Sequence, residues 1–282
     1  RSYRVSLTPR GHKDFAAMAT AHEAWLGELF GGLPGADKEA LYDQLGRLRV
    51  HLAQKQATLD GGVPVAVATD FNLAITVKQG LEEALGSNGT VLYAKGSNLM
   101  DDAAYEDRAT MFNRSMNRDN RSAEELLNEA LEKAKQSDVI VAALGESSEM
   151  SGESSSRTDL NIPDAQRRLL EALLKTGKPV VLVLFAGRPM TLKWESEHVP
   201  AILNVWFGGS EGGHAIADVL FGDVNPSGKL TTTFPQNVGQ LPLYYAHKNT
   251  GRPLDEGKWF EKFRSNYLDV SNDPLYPFGF GL

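Results

Sequence analysis

The segment 145–160, GESSEMSGESSSRTDL, sets four acidic side chains and six serines within sixteen residues. It follows directly on the apolar run DVIVAALG at 138–145, which reads as a buried strand. Clustered carboxyl groups suit general acid–base work. A carboxyl beside another carboxylate, or under apolar cover, keeps its proton at a pH where an isolated one has lost it. Such a group can protonate a leaving group. Glu146, Glu149 and Glu153 are the candidates by residue type, with Arg157 as the cation of the same stretch. A solvated acidic loop without catalytic duty has the same composition.

Two more segments carry polar groups just after apolar runs: AGRPM at 186–190 and GGSEGG at 208–213. In open parallel sheets, ligands bind beyond the carboxyl ends of the strands, where all three segments would lie. Carboxylates, serines and arginines together supply the mixture of donors and acceptors that a polyhydroxylated ligand such as a sugar needs. Ser210 and Glu211 are the polar side chains of the glycine-rich segment, which reads equally well as a tight strand-to-helix turn. His214, just beyond it, reads as a helix-start residue that caps or packs.

The elements that must position these groups follow from periodicity. Apolar, β-branched runs at 63–69, 90–96, 138–145, 179–187 and 201–209 read as strands buried on both faces. Helical patterns lie between them near 76–86, 122–136, 162–176 and 212–221. Ser122 with Glu125 predicts a capping box, and Gly177 followed by Pro179 predicts a helix stop and a strand start. The expected fold is α/β, a three-layer sandwich around a mostly parallel sheet of five to six strands. Residues 100–121 are too polar to assign. Ahead of the sheet, Phe15, Met18, His22, Leu26 and Leu29, then Leu41, Leu45, Leu48 and Leu52, fall at helical spacing. They predict an α-helical hairpin over residues 11–55, which either packs on the larger domain or pairs with a second copy of itself.

Composition narrows the function classes. A net charge of −7 gives no general attraction to nucleic acid or to an anionic membrane, and no apolar stretch has the roughly 18 residues of a spanning helix. No signal-peptide pattern opens the sequence. With no cysteine there is no thiolate ligand or cysteine nucleophile, and the six histidines, at 12, 22, 51, 198, 214 and 247, show no metal-ligand spacing, so neither a metal nor a cofactor is expected. GDVNPSGKL has five residues between Gly222 and Gly228 and Leu230 where a phosphate loop needs Ser or Thr. No G-x-S-x-G elbow occurs. Asn88, Asn113 and Asn120 open glycosylation sequons.

From about Ile75 to Leu282 the chain resembles the α/β sandwich domain of glycoside hydrolase family 3. The resemblance is carried in order by TVKQGLEEAL, VLYAKG, AKQSDVIVAALGE, SSRTDLNIPDAQ, GKPVVLVLFAGRPM, the run Trp206–Pro253 and PLYPFGFGL. It implies retaining hydrolysis of β-glucosides, with β-linked glucosides or oligosaccharides as ligands, and relatives that are periplasmic or secreted. It also implies an aspartate nucleophile in a barrel domain and a glutamate acid/base on a loop of the sandwich domain, here 145–160. Branches of the family place a Glu three residues before an Asp-Arg pair. Here Glu153 stands four before Arg157, with Ser156 in the aspartate's place. Glu153 is therefore the expected catalytic residue, with Glu146 and Glu149 as competitors in the same loop. Glu149, Arg157, Ser210 and Glu211 are the expected substrate-binding residues. An eight-fold barrel needs about 250 residues, more than precede Ile75, so the nucleophile is expected to lie outside this chain.

Residues 1–55 resemble the wing end and last two helices of a MarR-type regulator, whose helices form a dimer interface, without the recognition helix. The expected organisation is a helical segment over 1–58, a junction over 59–74 and the sandwich domain over 75–282. A homodimer through 11–55 and no nucleic-acid or membrane partner go with it. The alternative function is a catalytically silent sugar-binding or scaffold domain dimerised by the hairpin.

Overall fold

The structure, a computed structural model, describes residues 63–68 by their backbone and 75–108, 118–248, 251–255 and 257–281 in full. The chain divides between Thr58 and Leu59, and everything described here belongs to the second unit. The hairpin over 11–55 and most of the 59–74 junction lie outside the described residues.

Five strands form one parallel sheet: β1 (Val63–Ala68), β2 (Val91–Tyr93), β3 (Ile140–Gly145), β4 (Val180–Phe185) and β5 (Ala201–Asn204). Their order is β2-β1-β3-β4-β5. Five is the lower bound of the expected five to six. β1 comes from the segment read as a junction, yet it pairs with both β2 and β3, so the sheet begins upstream of residue 75. The strand ends are shorter than the apolar runs suggested. β5 stops at Asn204 because Trp206 adopts φ of 51°, which no strand accommodates.

The helices are α1 (Val77–Leu85), α2 (Ala103–Arg108), α3 (Ala123–Lys135), α4 (Asp164–Leu174), α5 (Lys193–His198) and α6 (Gly212–Phe221). Right-handed crossovers decide which face each helix covers. The step from β1 to β2 runs one way across the sheet, and the steps from β2 over to β3, then β4 and β5, run the other way. Helices α3, α4 and α5 therefore fall on the face opposite α1. On that face Ala130, Leu169, Leu170 and Leu173 pack with Ile140, Ala142, Leu144, Leu182 and Leu184. On the other, Val77 and Leu81 of α1 and Ile216 and Ala217 of α6 pack with Val141, Ala143, Val183 and Phe185. The alternation along β3 and β4 is that of strands buried on both sides, the expected three-layer sandwich.

Local signals fix the helix ends. Ser122 Oγ accepts from Glu125 N (3.2 Å) while the Glu125 carboxylate accepts from Ser122 N (2.8 Å), the predicted capping box. Thr76 Oγ1 accepts from Gln79 N at the start of α1. Helix α2 was not legible in the polar stretch 100–121; Asp102 starts it by accepting from Ala104 N and Tyr105 N. Beyond α6 the chain forms no further strand or α-helix among the described residues. An isolated antiparallel bridge between Phe234 and Tyr276, and bonds between Leu230 and the 279–280 backbone, tie this stretch together.

Candidate active-site loop

Strand β3 ends at Gly145, where φ is +133° and a Cβ would lie 1.9 Å from the Phe185 carbonyl oxygen. Only glycine fits there. Gln166 of α4, fully buried, closes the strand end. Its oxygen accepts from Gly145 N (2.7 Å), and its Nε2 donates to the carbonyls of Gly145 (2.9 Å) and Leu99 (3.1 Å). The chain then turns inward, and the Glu146 carboxylate is fully buried.

Three side chains hold that carboxylate. Arg157 Nη1 donates to Oε1 at 2.7 Å, Arg188 Nε lies 3.1 Å from Oε1 and 3.2 Å from Oε2, and Ser151 Oγ donates to Oε2 at 2.9 Å. Arg188 also donates through Nη2 to the carbonyls of Met150 and Ser155, and Arg157 Nη2 donates to the Asn161 carbonyl at 3.2 Å. One buried carboxylate and two guanidiniums thus bind six points of the loop 146–161 to one another and to the segment after β4. Removing one partner of such a group strands buried charge, a cost of about 3–5 kcal/mol.

Packing joins the third strand end to the same place. A Cβ on Gly187 would sit 2.4 Å from Ser151 Cβ and 2.8 Å from a Phe207 ring carbon, so the segments after β3, β4 and β5 meet there. Trp206, next to Phe207, has left-handed backbone torsions and packs its ring 5.7 Å from Phe234. A non-glycine residue held in that region costs about 1–3 kcal/mol, supplied by the packing around it.

The loop sorts the expected acids by environment. Glu146 is the internal anchor. Glu149 is half-buried on the turn Ser148–Ser151, and Glu153 is exposed at the tip, next to Ser154 with φ of 62°. Ser155 N donates to the Gly152 carbonyl at 3.1 Å, closing the turn that carries Glu153 outward. Burial among the clustered acids thus falls on Glu146, because two arginines are there to receive it. Arg157, expected to touch substrate, has a side chain only 5% exposed and turned onto Glu146. Arg188 was not singled out as a site residue. Its signal was an arginine directly after an apolar strand, in AGRPM.

Ser210 and Glu211 lie on a turn that is held to the start of α1. The Ser210 carbonyl accepts from Ile75 N (3.0 Å) and the Ile75 carbonyl accepts from Gly213 N (3.2 Å), pinning the glycine-rich turn to the start of α1. Gly80 and Gly213 permit the contact: a Cβ on Gly80 would lie 2.2 Å from Gly213 O, and one on Gly213 would lie 2.3 Å from Thr76 O. Glu211 is 74% exposed and bonds His214 Nδ1 at 2.6 Å, while His214 Nε2 lies 2.7 Å from Glu83 of α1. The hydrogen bond to Glu83, with a second to Glu211, raises the His214 pKa, and the same imidazole lowers that of Glu83. His214 sits at the helix start, as its position suggested, and serves as a link between α6 and α1. Among the described residues no group of three or more His, Cys, Asp or Glu is placed to hold a metal ion, and no helix is long and apolar enough to cross a membrane.

Comparison with known proteins agrees with this architecture. The model of the glycosyl hydrolase family 3 C-terminal domain matches residues 34–282, beginning upstream of Ile75. The chain is 51% identical over 211 residues to a periplasmic beta-glucosidase of Salmonella typhimurium, covering 75% of this chain and 28% of that protein. It is 36% identical over 208 residues to a beta-xylosidase of Formosa agariphila, covering 74% of this chain and 25% of that one. The beta-glucosidase from Listeria innocua, solved with gluconolactone, superposes with a TM-score of 0.63 at 33% identity over 78% of this chain and 30% of that one. A mutant of the Listeria enzyme has been solved with laminaribiose. The chain thus spans between a quarter and a third of the length of these relatives. With the family match covering most of its length and the sandwich fold alongside, the chain belongs to glycoside hydrolase family 3, of which it carries the C-terminal domain.

Proposed function

We propose that this domain supplies the acid/base half of a retaining β-glucosidase site, with Glu153 as the proton donor. The observation that carries the reading is the contrast within one loop: Glu146 anchors it from inside through Arg157 and Arg188, while Glu153 stands exposed at its tip. A rigid base under an outward carboxyl is what a positioned general acid needs. Glu153 would protonate the glycosidic oxygen as the bond from the sugar's anomeric carbon breaks. As a carboxylate it would then take a proton from the water that releases the sugar. The nucleophile, about 5–5.5 Å away in a retaining enzyme, would come from an aspartate of the family's barrel domain. In this reading Arg157 is a positioning residue, and Glu149, Ser210 and Glu211 remain proposed contacts for the sugar.

A chimera tests the proposal. The matched segment of the Salmonella relative is replaced by residues 75–282 of this chain, and hydrolysis of an alkyl β-glucoside, whose leaving group needs a proton, is followed. An active chimera should lose about 10²–10⁴-fold in turnover with Glu153→Gln, the usual contribution of a general acid. An active chimera indifferent to Glu153→Gln would overturn the assignment.

A further inference from the structure

A cleft of about 610 Å³ opens in the C-terminal stretch, between segments 240–247 and 265–278, with no residue of 145–160, 186–190 or 208–213 in its lining. Its volume falls within the range of small-molecule sites, about 300–1,000 Å³. Although 23% of the chain is charged, no Asp, Glu, Lys or Arg lines this cleft. Apart from the imidazole of His247, a lining of that kind holds no acid or base that ionises near neutral pH to offset the desolvation of an ionic ligand.

What the cleft does offer is flat aromatic surface edged with amides and hydroxyls. Tyr245 and Phe278 stack with centroids 4.7 Å apart, and both are exposed. Tyr244 stands beside them, 5.8 Å from the His247 ring. Asn272 donates through Nδ2 to the Ser265 carbonyl at 2.8 Å, which orients the amide; its oxygen and its second N–H are further hydrogen-bonding groups at the cleft. Thr233, only 6% exposed, also lines the cleft, and its hydroxyl is buried without a hydrogen-bond partner among the described residues.

We propose that this cleft is a binding site for a neutral carbohydrate. The C–H faces of a sugar ring lie on the Tyr245–Phe278 surface, its hydroxyls meet Asn272 and Tyr244, and its lack of charge matches the lining. The argument is independent of the role given to Glu153. The test uses cellobiose as the probe, titrated into the isotope-labelled chain while backbone amide shifts are followed. Saturable shifts should appear in 240–247 and 265–278. Affinity should weaken at least tenfold in Tyr245→Ala and in Asn272→Ala, with the remaining spectrum unchanged. Tyr245 is 74% exposed, so its truncation leaves the core untouched. Shifts confined to 146–161, no saturable shift at all, or undiminished affinity in Tyr245→Ala would each overturn the proposal. So would equal affinity for a negatively charged glucuronide, since the neutral lining is the ground for the assignment.

Discussion

The loop after β3 and the turn after β5 solve the same problem by different means. Both must hold polar groups beyond the end of a parallel strand. The first is held by side-chain charge, with Glu146, Arg157 and Arg188 bonding its points together from within. The second is held by backbone, through the reciprocal bonds between Ile75 and the Ser210–Gly213 turn and the close approach of Gly80 and Gly213. The difference predicts where each is fragile. Charge changes break the first, and added bulk breaks the second.

The largest effect expected is that of Glu146→Ala. It leaves two guanidiniums facing each other without their carboxylate and should cost about 3–5 kcal/mol in denaturant unfolding. A loss below about 1 kcal/mol would mean that the loop does not depend on its internal anchor. Next comes Gly213→Ala, whose Cβ would lie 2.3 Å from Thr76 O and 2.5 Å from Ile75 O. Overpacking of that kind costs about 1–3 kcal/mol. Gly209→Ala in the same turn is the control, because a Cβ there meets nothing within 4 Å. If both substitutions are silent, the turn is not held by the approach of α1 and α6.

The smallest effect belongs to His214, which adds a titratable link to the backbone-held turn. Its pKa is raised by hydrogen bonds to Glu83 first and Glu211 second. The folded value therefore lies above the unfolded one, near 6.5. The stabilisation is complete below that pH and disappears as pH rises through the raised folded value. On an exposed group the gain is small. An NMR titration should place the imidazole midpoint above its ordinary value, and Glu83→Gln should lower it. A midpoint at the ordinary value would show that the two carboxylates do not hold the ring.

What the sequence revealed follows the same division. Strands such as Val180–Phe185 were legible because burial on both faces demands an unbroken apolar run, and α3 because Ser122 and Glu125 announce its start. The position of the acidic loop was legible from the strand before it. Which of its acids turns inward was not, because that depends on Arg188, 42 residues on from Glu146. Helix α2 was missed for want of an apolar face in a six-residue element. The stretch after α6 has no period to read, since single contacts such as Phe234 with Tyr276 hold it in place of a ladder.

The central claim is that Glu153, at the tip of the anchored loop, is the proton donor. Leaving-group dependence in the chimeric enzyme tests it most directly. A dinitrophenolate departs without protonation, whereas an alkoxide does not. Glu153→Gln should therefore slow the bond-breaking step for an alkyl β-glucoside by about 10²–10⁴-fold and slow that of a dinitrophenyl β-glucoside far less, while Glu149→Gln shows no such split. Equal losses on both substrates with Glu153→Gln, or the split appearing with Glu149→Gln, would contradict the account.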